Sequence, residues 1–139
     1  MRKIQFQAGN IYHVYNRGAD KRPVFIKKTD YTRFLFGLQE LNRPEPVNSL
    51  SDLKKRILEP RVLDDPLVEI IAYCLLPNHY HLLLRQLVDN GISLFMQKAG
   101  QAYTKFFNNK DKRSGVLFQG PFKAVPVETD EQLLYVAAY

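Results

Sequence analysis

The first half of the chain predicts one strand and one helix, followed by a long loop. Residues 11–17 are rich in β-forming side chains and end at a glycine, which is typical of a strand. Asp30 is well placed to cap a helix that runs to Leu41, because apolar residues recur there at helical spacing. Residues 43–66 contain four prolines, which indicates a variable loop insertion with one short helix near Leu50–Leu58.

The second half predicts a hairpin and a longer helix. The segment from Leu67 to Leu76 is apolar apart from one glutamate and predicts a buried strand. Pro77-Asn78 is expected to form a turn, and His79 to Gln86 the antiparallel partner strand. An amphipathic helix should follow from Ser93, covering about Leu94 to Phe107. Its expected buried residues are Leu94, Phe95, Ala102, Tyr103 and Phe106.

The end of the chain predicts short strands and a last helix. Residues 116–118 and 122–127 are expected to be short strands on either side of a Gly-Pro turn. Thr129 and Gln132 fit a capping box, so a helix should start there, and we expect it to be truncated at Tyr139. The resulting order is a split β-α-β pattern. It predicts an α+β ferredoxin-like sandwich, with an antiparallel sheet and helices mainly on one face.

Length and composition narrow the class of protein. The 139 residues fit a single domain, and 45% hydrophobic with 24% charged residues excludes a disordered chain. No run approaches the roughly 18 apolar residues of a membrane span, and the N-terminus lacks the apolar core of a secretory signal. The one cysteine, Cys74, excludes an intrachain disulfide and is expected to be a small core residue. We therefore expect a cytoplasmic protein.

Positive charge is concentrated in two blocks of the sequence. The formal net charge is +6. Residues 1–43 contain nine Lys and Arg against three acids, and residues 98–123 contain six against one. Basic surfaces of this kind favour nucleic acids, although a general contribution to solubility is the alternative.

Two of the three histidines lie at a spacing that suits a metal site. His79 and His81 fall in the predicted hairpin strand, so both imidazoles should point to one face while Tyr80 points to the other. Their Cβ atoms would lie within about 7 Å, close enough for both rings to meet one cation. Two hydrogen-bonded sheet histidines are the alternative. His13 lies outside the pair and is expected to be such a sheet histidine.

Two tyrosines share one face of the last predicted helix. Tyr135 and Tyr139 lie four residues apart, a spacing that is more often found in a core than in an active site. A tyrosine hydroxyl has a pKa of about 10. It therefore becomes a nucleophile only beside a base or a cation that stabilises the reacting centre.

Taken together, these motifs resemble the single-tyrosine transposases with a His-hydrophobic-His motif, which mobilise insertion sequences as single-stranded DNA. The central match is residues 76–84, which contain the histidine pair and the three leucines after it. The resemblance covers nearly the whole chain except residues 43–66, and it is strongest toward the REP-associated tyrosine transposases. The other matching segments are residues 12–18, Phe25 with Asp30, Tyr31 and Phe34, residues 117–124 and residues 133–139.

The resemblance implies a mechanism for cutting and joining DNA. His79 and His81 would hold a divalent cation, Mg²⁺ or Mn²⁺, which polarises the scissile phosphate. A tyrosine would attack phosphorus, leaving a 5′-phosphotyrosine link and a free 3′-hydroxyl. The family pattern places this nucleophile at Tyr139, with Tyr135 as the weaker alternative. The family's third metal ligand, an amide four residues further on, would fall beyond Tyr139, which puts the activity of this chain in doubt.

The basic blocks would neutralise the phosphates of single-stranded DNA, expected to contain hairpins. The resemblance leaves monomer and homodimer open. One alternative function is a non-catalytic single-stranded DNA- or RNA-binding module of the same fold. Another is a metal-dependent hydrolase, which residues 70–88 do not favour because they contain no carboxylate. The expected DNA-binding residues are Arg17, Lys21, Arg22, Lys27, Lys28, Lys105, Lys110, Lys112 and Arg113, and the aromatic candidates for base stacking are Tyr12, Tyr15 and Phe118.

Overall fold

The computed structural model describes residues 5–44 and 65–137, with side chains as far as Leu133. The short helix expected near Leu50–Leu58 lies outside these residues. The described elements follow the order predicted from the sequence. They are β1 (Ile11–Arg17), a 3₁₀ turn (Ala19–Lys21), α1 (Lys28–Glu40), β2 (Val68–Leu76), β3 (His79–Gln86), α2 (Gly91–Asp111), β4 (Lys123–Val127) and α3 (Asp130–Ala137).

The four strands form one antiparallel sheet in the order β2-β3-β1-β4. Both β1 and β2 run antiparallel to β3, which lies between them, so β1 and β2 are parallel to each other. Helix α1 connects them as the crossover of a split β-α-β unit. The predicted α+β ferredoxin-like sandwich is confirmed.

The core lies between one face of this sheet and helices α1 and α2. On the sheet side, alternate residues of the two central strands are buried, as period-two alternation requires. On the helix side, the buried residues of α2 recur every three or four positions. The members of the core from the central strands and α2 are Tyr12, Val14, Tyr80, Leu82, Leu84, Ile92, Phe95, Met96, Ala99, Tyr103 and Phe107.

The predicted buried face of α2 is partly wrong. The helix begins at Gly91, two residues before Ser93, and ends at Asp111. Phe95 and Tyr103 are buried as expected, whereas Ala102 is exposed and both Leu94 and Phe106 are half-buried. The buried stripe follows Ile92, Met96 and Ala99 instead, because the helix axis is set by its packing against α1 and the sheet.

Strand β2 is not the fully buried strand that its apolar sequence predicted. Among the described strands it is an edge strand with β3 as its single neighbour, and its residues alternate between the core and solvent. Tyr73 is 55% exposed, and the ladder is irregular around Ile71. Residues 116–118 also differ from the expectation of a strand, since they form only one isolated bridge, between Phe118 and Gly18.

A buried carboxylate connects α1 to α2. Asp30 is the third residue of α1 rather than the residue before it, and it is fully buried. Its carboxylate accepts hydrogen bonds from the backbone N–H groups of Ile26 and Lys27, at 2.9 and 3.0 Å. The Nζ atom of Lys110 lies 3.1 Å from both carboxylate oxygens. Burial alone would raise the pKa of Asp30, but these hydrogen bonds and the ammonium charge hold that pKa below its usual value.

We expect the substitution Asp30→Asn to lower the free energy of unfolding at pH 7 by about 2–4 kcal/mol, because it leaves the Lys110 ammonium without its buried partner. The pKa of Asp30 is lowered on folding, so its contribution is present above pH 3.8 and is lost as the pH falls through the folded value. The difference from the native protein in urea denaturation should therefore shrink toward pH 3.

The matched control is Asp111→Asn. Asp111 lies 3.4 Å from the same Lys110, but its side chain is 35% exposed. The substitution should lower the free energy of unfolding by less than about 1 kcal/mol. Equal costs for the two substitutions would contradict the role given to burial.

Candidate metal and DNA site on the sheet face

The sheet face opposite α1 and α2, called here the histidine face, carries both expected metal ligands. Residues that are paired directly across an antiparallel ladder point to the same side. Tyr15 is paired with His81 on one side and with Lys123 on the other, and Arg17 is paired with His79. These five side chains therefore share one face, as the alternation along β1 and β3 dictates.

His79 and His81 point to the same face, as predicted. Their ring centroids are 5.1 Å apart, and the ring planes are nearly perpendicular, at 86°. Tyr80, between them, is 3% exposed and packs in the core. Both histidine rings are half-buried, so the remainder of the sheet holds them in place.

A side chain in the hairpin turn orients the first histidine. The Oδ1 atom of Asn78 lies 2.7 Å from Nδ1 of His79. An amide oxygen only accepts hydrogen bonds, so the proton of the neutral His79 ring resides on Nδ1 and the lone pair on Nε2. Histidine ligands of metal ions are usually oriented in this way by an acceptor on the other ring nitrogen. Sequence reasoning gave Asn78 no role beyond shaping the turn.

The hairpin turn itself is fixed to the core. The backbone carbonyl of Pro77 accepts hydrogen bonds from the N–H groups of Val24 and Phe25, at 2.8 and 3.1 Å. Both residues are almost fully buried. The N–H of Gly18 donates to the carbonyl of Asn78 at 2.9 Å. The turn that carries the histidine pair is therefore connected to the segment after β1.

His13, expected to be a hydrogen-bonded sheet histidine outside the pair, is hydrogen-bonded to a member of that pair. Its Nε2 atom lies 2.9 Å from Nδ1 of His81, and the two rings are stacked with centroids 5.1 Å apart. The ring of Tyr15 lies 5.0 Å from that of His13 and 5.9 Å from that of His81. Strand β1 thus supplies a direct partner to the pair on β3. No sequence signal could show this, because it depends on the register of two strands that are far apart in the chain.

Burial keeps His13 and His81 in the neutral form at pH 7. Burial, followed by the charges that His13 and His79 would carry, lowers the pKa of His81 to about 4. Burial also lowers the pKa of His13. A neutral ring is the form that binds a metal ion. If Nδ1–H of His81 donates to Nε2 of His13, the lone pair of His81 Nε2 is available to a cation; the opposite donor direction would block it.

The donor set fits a divalent cation held by two imidazole nitrogens. Imidazole favours later transition metals over magnesium, whereas magnesium and manganese prefer oxygen ligands such as carboxylate and water. Within residues 5–44 and 65–137, no group of three His, Cys, Asp or Glu side chains is close enough to hold a metal ion. Further positions on the cation would fall to water or to oxygens of a bound phosphate.

The expected nucleophiles cannot be placed beside the histidines. Tyr139 lies outside the described residues. Tyr135 lies within α3. The position of the third metal ligand, expected beyond Tyr139, is not part of the sequence.

Two residues of the first basic block lie beside the histidine pair. Arg17 and Lys21 line a cavity beside His79, together with Lys123, which was not among the expected DNA contacts. Lys27 and Lys28 are exposed at the start of α1, and Arg22 is half-buried after the 3₁₀ turn.

The second basic block contains residues with protein partners as well as exposed residues. Lys110 is ion-paired with Asp30 and Asp111. Arg113 donates hydrogen bonds to Asn108 and to the carbonyl of Val116. Lys105 and Lys112 are exposed. Lys110 and Arg113 therefore have structural partners, which leaves the two exposed lysines as the stronger candidates for DNA contacts.

The three aromatic candidates for base stacking also differ in where they lie. Tyr12 is 2% exposed, and its hydroxyl accepts a hydrogen bond from the N–H of Gln7. Phe118 packs edge-on against Tyr80. Tyr15 is the one of the three that lies on the histidine face. Cys74, expected in the core, is half-buried on the edge strand.

The fold and this site define a ferredoxin-like α+β domain with a paired-histidine centre on a basic sheet face. Residues 48–139 match the family model described as "Transposase IS200 like", which covers more than half of the chain. The chain belongs to this family of transposases. It matches no curated protein sequence.

Two solved structures share the fold. One is a REP-associated tyrosine transposase bound to a REP hairpin, with a TM-score of 0.61 and 12% identity, covering 100% of this chain and 68% of that chain. The other is a candidate transposase from Deinococcus radiodurans R1, with a TM-score of 0.55 and 13% identity, covering 97% of this chain and 92% of that chain. Among the helices that the structure describes, none has both the length and the apolar character needed to cross a membrane.

In the metal-free protein, we expect the His81 ring to titrate with a pKa of about 4, measured from the NMR shifts of its ring protons. The substitution His13→Asn should raise this pKa, because it removes a neighbour that becomes cationic in acid. Since folding lowers the pKa of His81 from 6.5, its stabilising contribution is complete above pH 6.5 and is lost as the pH falls through about 4. Titration of His81 near pH 6.5 in the native protein would contradict this description of the site.

Proposed function

We propose that this chain cleaves and rejoins single-stranded DNA through a 5′-phosphotyrosine intermediate, with a divalent cation held by His79 and His81. The observation that carries the proposal is the pair of oriented imidazoles beside a basic cavity on the histidine face. Membership of the transposase family supports DNA as the substrate. The solved relative with a bound REP hairpin supports DNA that contains hairpins.

The chemistry is an exchange of one phosphodiester for another. The tyrosine oxygen attacks phosphorus and gives its proton to water. The bond from phosphorus to the 3′-oxygen breaks, and this oxygen takes a proton from water. The products are a 5′-phosphotyrosine and a free 3′-hydroxyl, which can attack a second phosphotyrosine and join two strands. No ATP is needed, because the number of phosphodiester bonds is conserved. We assign the nucleophile to Tyr139, with Tyr135 as the alternative.

Each residue of the histidine face has a separate task in this proposal. Nε2 of His79 and Nε2 of His81 are the nitrogens that would hold the cation, Mg²⁺ or Mn²⁺, and their other ring nitrogens are occupied by Asn78 and His13. The cation, when bound, polarises the scissile phosphate. Arg17 and Lys21 neutralise DNA phosphates, so binding should weaken strongly as salt is added.

The covalent intermediate provides the direct test. The protein is mixed with hairpin-containing single-stranded DNA and Mn²⁺ and then separated on a denaturing gel. We expect an adduct that survives denaturation, that is lost in Tyr139→Phe, and that falls at least about 100-fold in His79→Ala. Tyr135→Phe is the matched control, four residues earlier in the sequence, and should retain the adduct. An adduct that persists in Tyr139→Phe but not in Tyr135→Phe would move the nucleophile, and salt-sensitive binding without any adduct would favour the non-catalytic binding module.

His13 should act as a positioning residue for the cation. We expect His13→Ala to weaken Mn²⁺ binding by about 10- to 100-fold, because His81 loses the acceptor that fixes its proton on Nδ1. His13→Gln should retain most of the affinity, since its amide oxygen can accept the same hydrogen bond. Isothermal titration with Mn²⁺, without DNA, measures this directly. Ile11→Ala, on the same strand face, is the control for a general disturbance of β1, and an unchanged affinity in His13→Ala would refute the assignment.

A further inference from the structure

A cavity of about 500 Å³ opens beside His79, where three parts of the chain meet. They are the end of β1 with the turn after it, the β2–β3 hairpin turn, and the segment that leads into β4. This volume lies within the range of small-molecule sites in proteins, about 300–1,000 Å³. The lining residues are Tyr15, Asn16, Arg17, Lys21, Asn78, His79, Gln119 and Lys123.

Hydrogen bonds between the three segments hold the walls of the cavity in place. The N–H of Gln119 donates to the carbonyl of Arg17 at 2.8 Å, and the N–H of Ala19 donates to the carbonyl of Leu117 at 2.9 Å. The side-chain amide of Asn16 donates to the carbonyl of Gly120 at 3.1 Å. A site with walls fixed in this way loses little conformational entropy when a ligand enters.

The charges and donors of the cavity select for an anionic ligand that carries hydrogen-bond acceptors. Arg17, Lys21 and Lys123 contribute three positive charges, and none of the described residues that line the cavity is a carboxylate. The amide oxygen of Asn78 accepts from His79, and that of Gln119 accepts from Arg17. The NH₂ groups of these two amides are therefore the parts left to donate to a ligand.

Neither the charges nor the donors would suit an apolar ligand, but both suit a nucleotide. Phosphate oxygens match the three cations, base edges carry acceptors for amide donors, and Tyr15 adds an aromatic wall. A second cavity, of about 590 Å³, lies on the core side of the sheet, where α2 contributes mostly polar side chains and residues 116–122 mostly apolar ones, with Lys105 as the one cation among its described lining residues. It lacks this combination of charges and donors.

We propose that the cavity beside His79 holds one unpaired nucleotide, next to the phosphate that would be cleaved. The position of the scissile phosphate in this inference rests on the proposed function, whereas the binding of the nucleotide does not. Its phosphate contacts Arg17, Lys21 and Lys123, and its base contacts Gln119 and Asn78. The DNA is thus anchored at one nucleotide beside the histidine pair, which sets the position that can be cut.

The test measures binding in EDTA, so that no chemistry takes place. A hairpin oligonucleotide with a single-stranded flank is prepared in a series in which one base at a time is replaced by an abasic site. Binding of the full chain is followed by fluorescence anisotropy at one fixed salt concentration. One position of the flank should stand out, with an abasic site weakening binding by about tenfold, the scale of one base contact.

The substitution Gln119→Ala should identify the contact with that base. It should weaken binding of the intact DNA by about the same factor, and it should have no further effect on DNA that is abasic at that one position. Gln101→Ala is the matched control, because Gln101 is an exposed glutamine that lines the second cavity. It should change binding of every DNA in the series by less than twofold.

Two results would overturn the inference. One is a series in which no single position stands out, and the other is a Gln119→Ala effect that adds to the abasic effect at every position. Failure of the proposed function would give a different result. A protein that binds DNA but forms no adduct would still show that Gln119→Ala has no further effect at one abasic position. An enzyme that forms the adduct without showing this would refute the cavity assignment alone.

Discussion

The candidate site depends above all on the register between β1 and β3. The pairs Tyr15 with His81 and Arg17 with His79 bring the side chains of two distant segments to one face. A slip of one residue would move every side chain of β1 to the other face, which would bury Arg17. Burial on the core side prevents the slip, because Val14 fits only among apolar residues. The polar face is thus fixed by hydrophobic packing on its reverse.

The chain must also turn sharply just after β1. Gly18 makes this turn possible, because a Cβ atom at this position would collide with the carbonyl oxygen of Arg22. The close approach brings Lys21 back toward Arg17 and the hairpin turn. The φ angle of Gly18 is negative, so no left-handed conformation requires a glycine here. Glycine is required because a side chain would not fit.

Half-burial of the histidines has two effects that work together. It removes water, which lowers the pKa of His13 and His81, and it leaves Nδ1 of His79 and Nδ1 of His81 to protein partners. For His79 the partner is an amide oxygen with a fixed role as acceptor. For His81 the partner is another imidazole, which can donate or accept. The two ligands of the pair are consequently oriented by different means, and only the second can change its donor direction.

The order of elements and the orientation of the histidine pair could be predicted from the sequence, because both follow from local periodicity. The role of His13 could not, since it arises from pairing between residues 68 positions apart. Charge alone also could not distinguish Lys110, which is held by a buried carboxylate, from the exposed Lys112. The edge position of β2 could not be predicted either. An apolar run indicates that a segment can be buried, but not how many neighbouring strands it has.

The attachment of the Pro77 carbonyl to Val24 and Phe25 bears on how this chain would recognise DNA. Moving the hairpin turn would break two hydrogen bonds and pull two buried residues out of the core. The histidine pair is thus preorganised, and the turn has no alternative conformation of low free energy. Any adaptation between the two molecules on this side of the site has to come from the nucleic acid, which would favour flexible single strands over stiff duplexes.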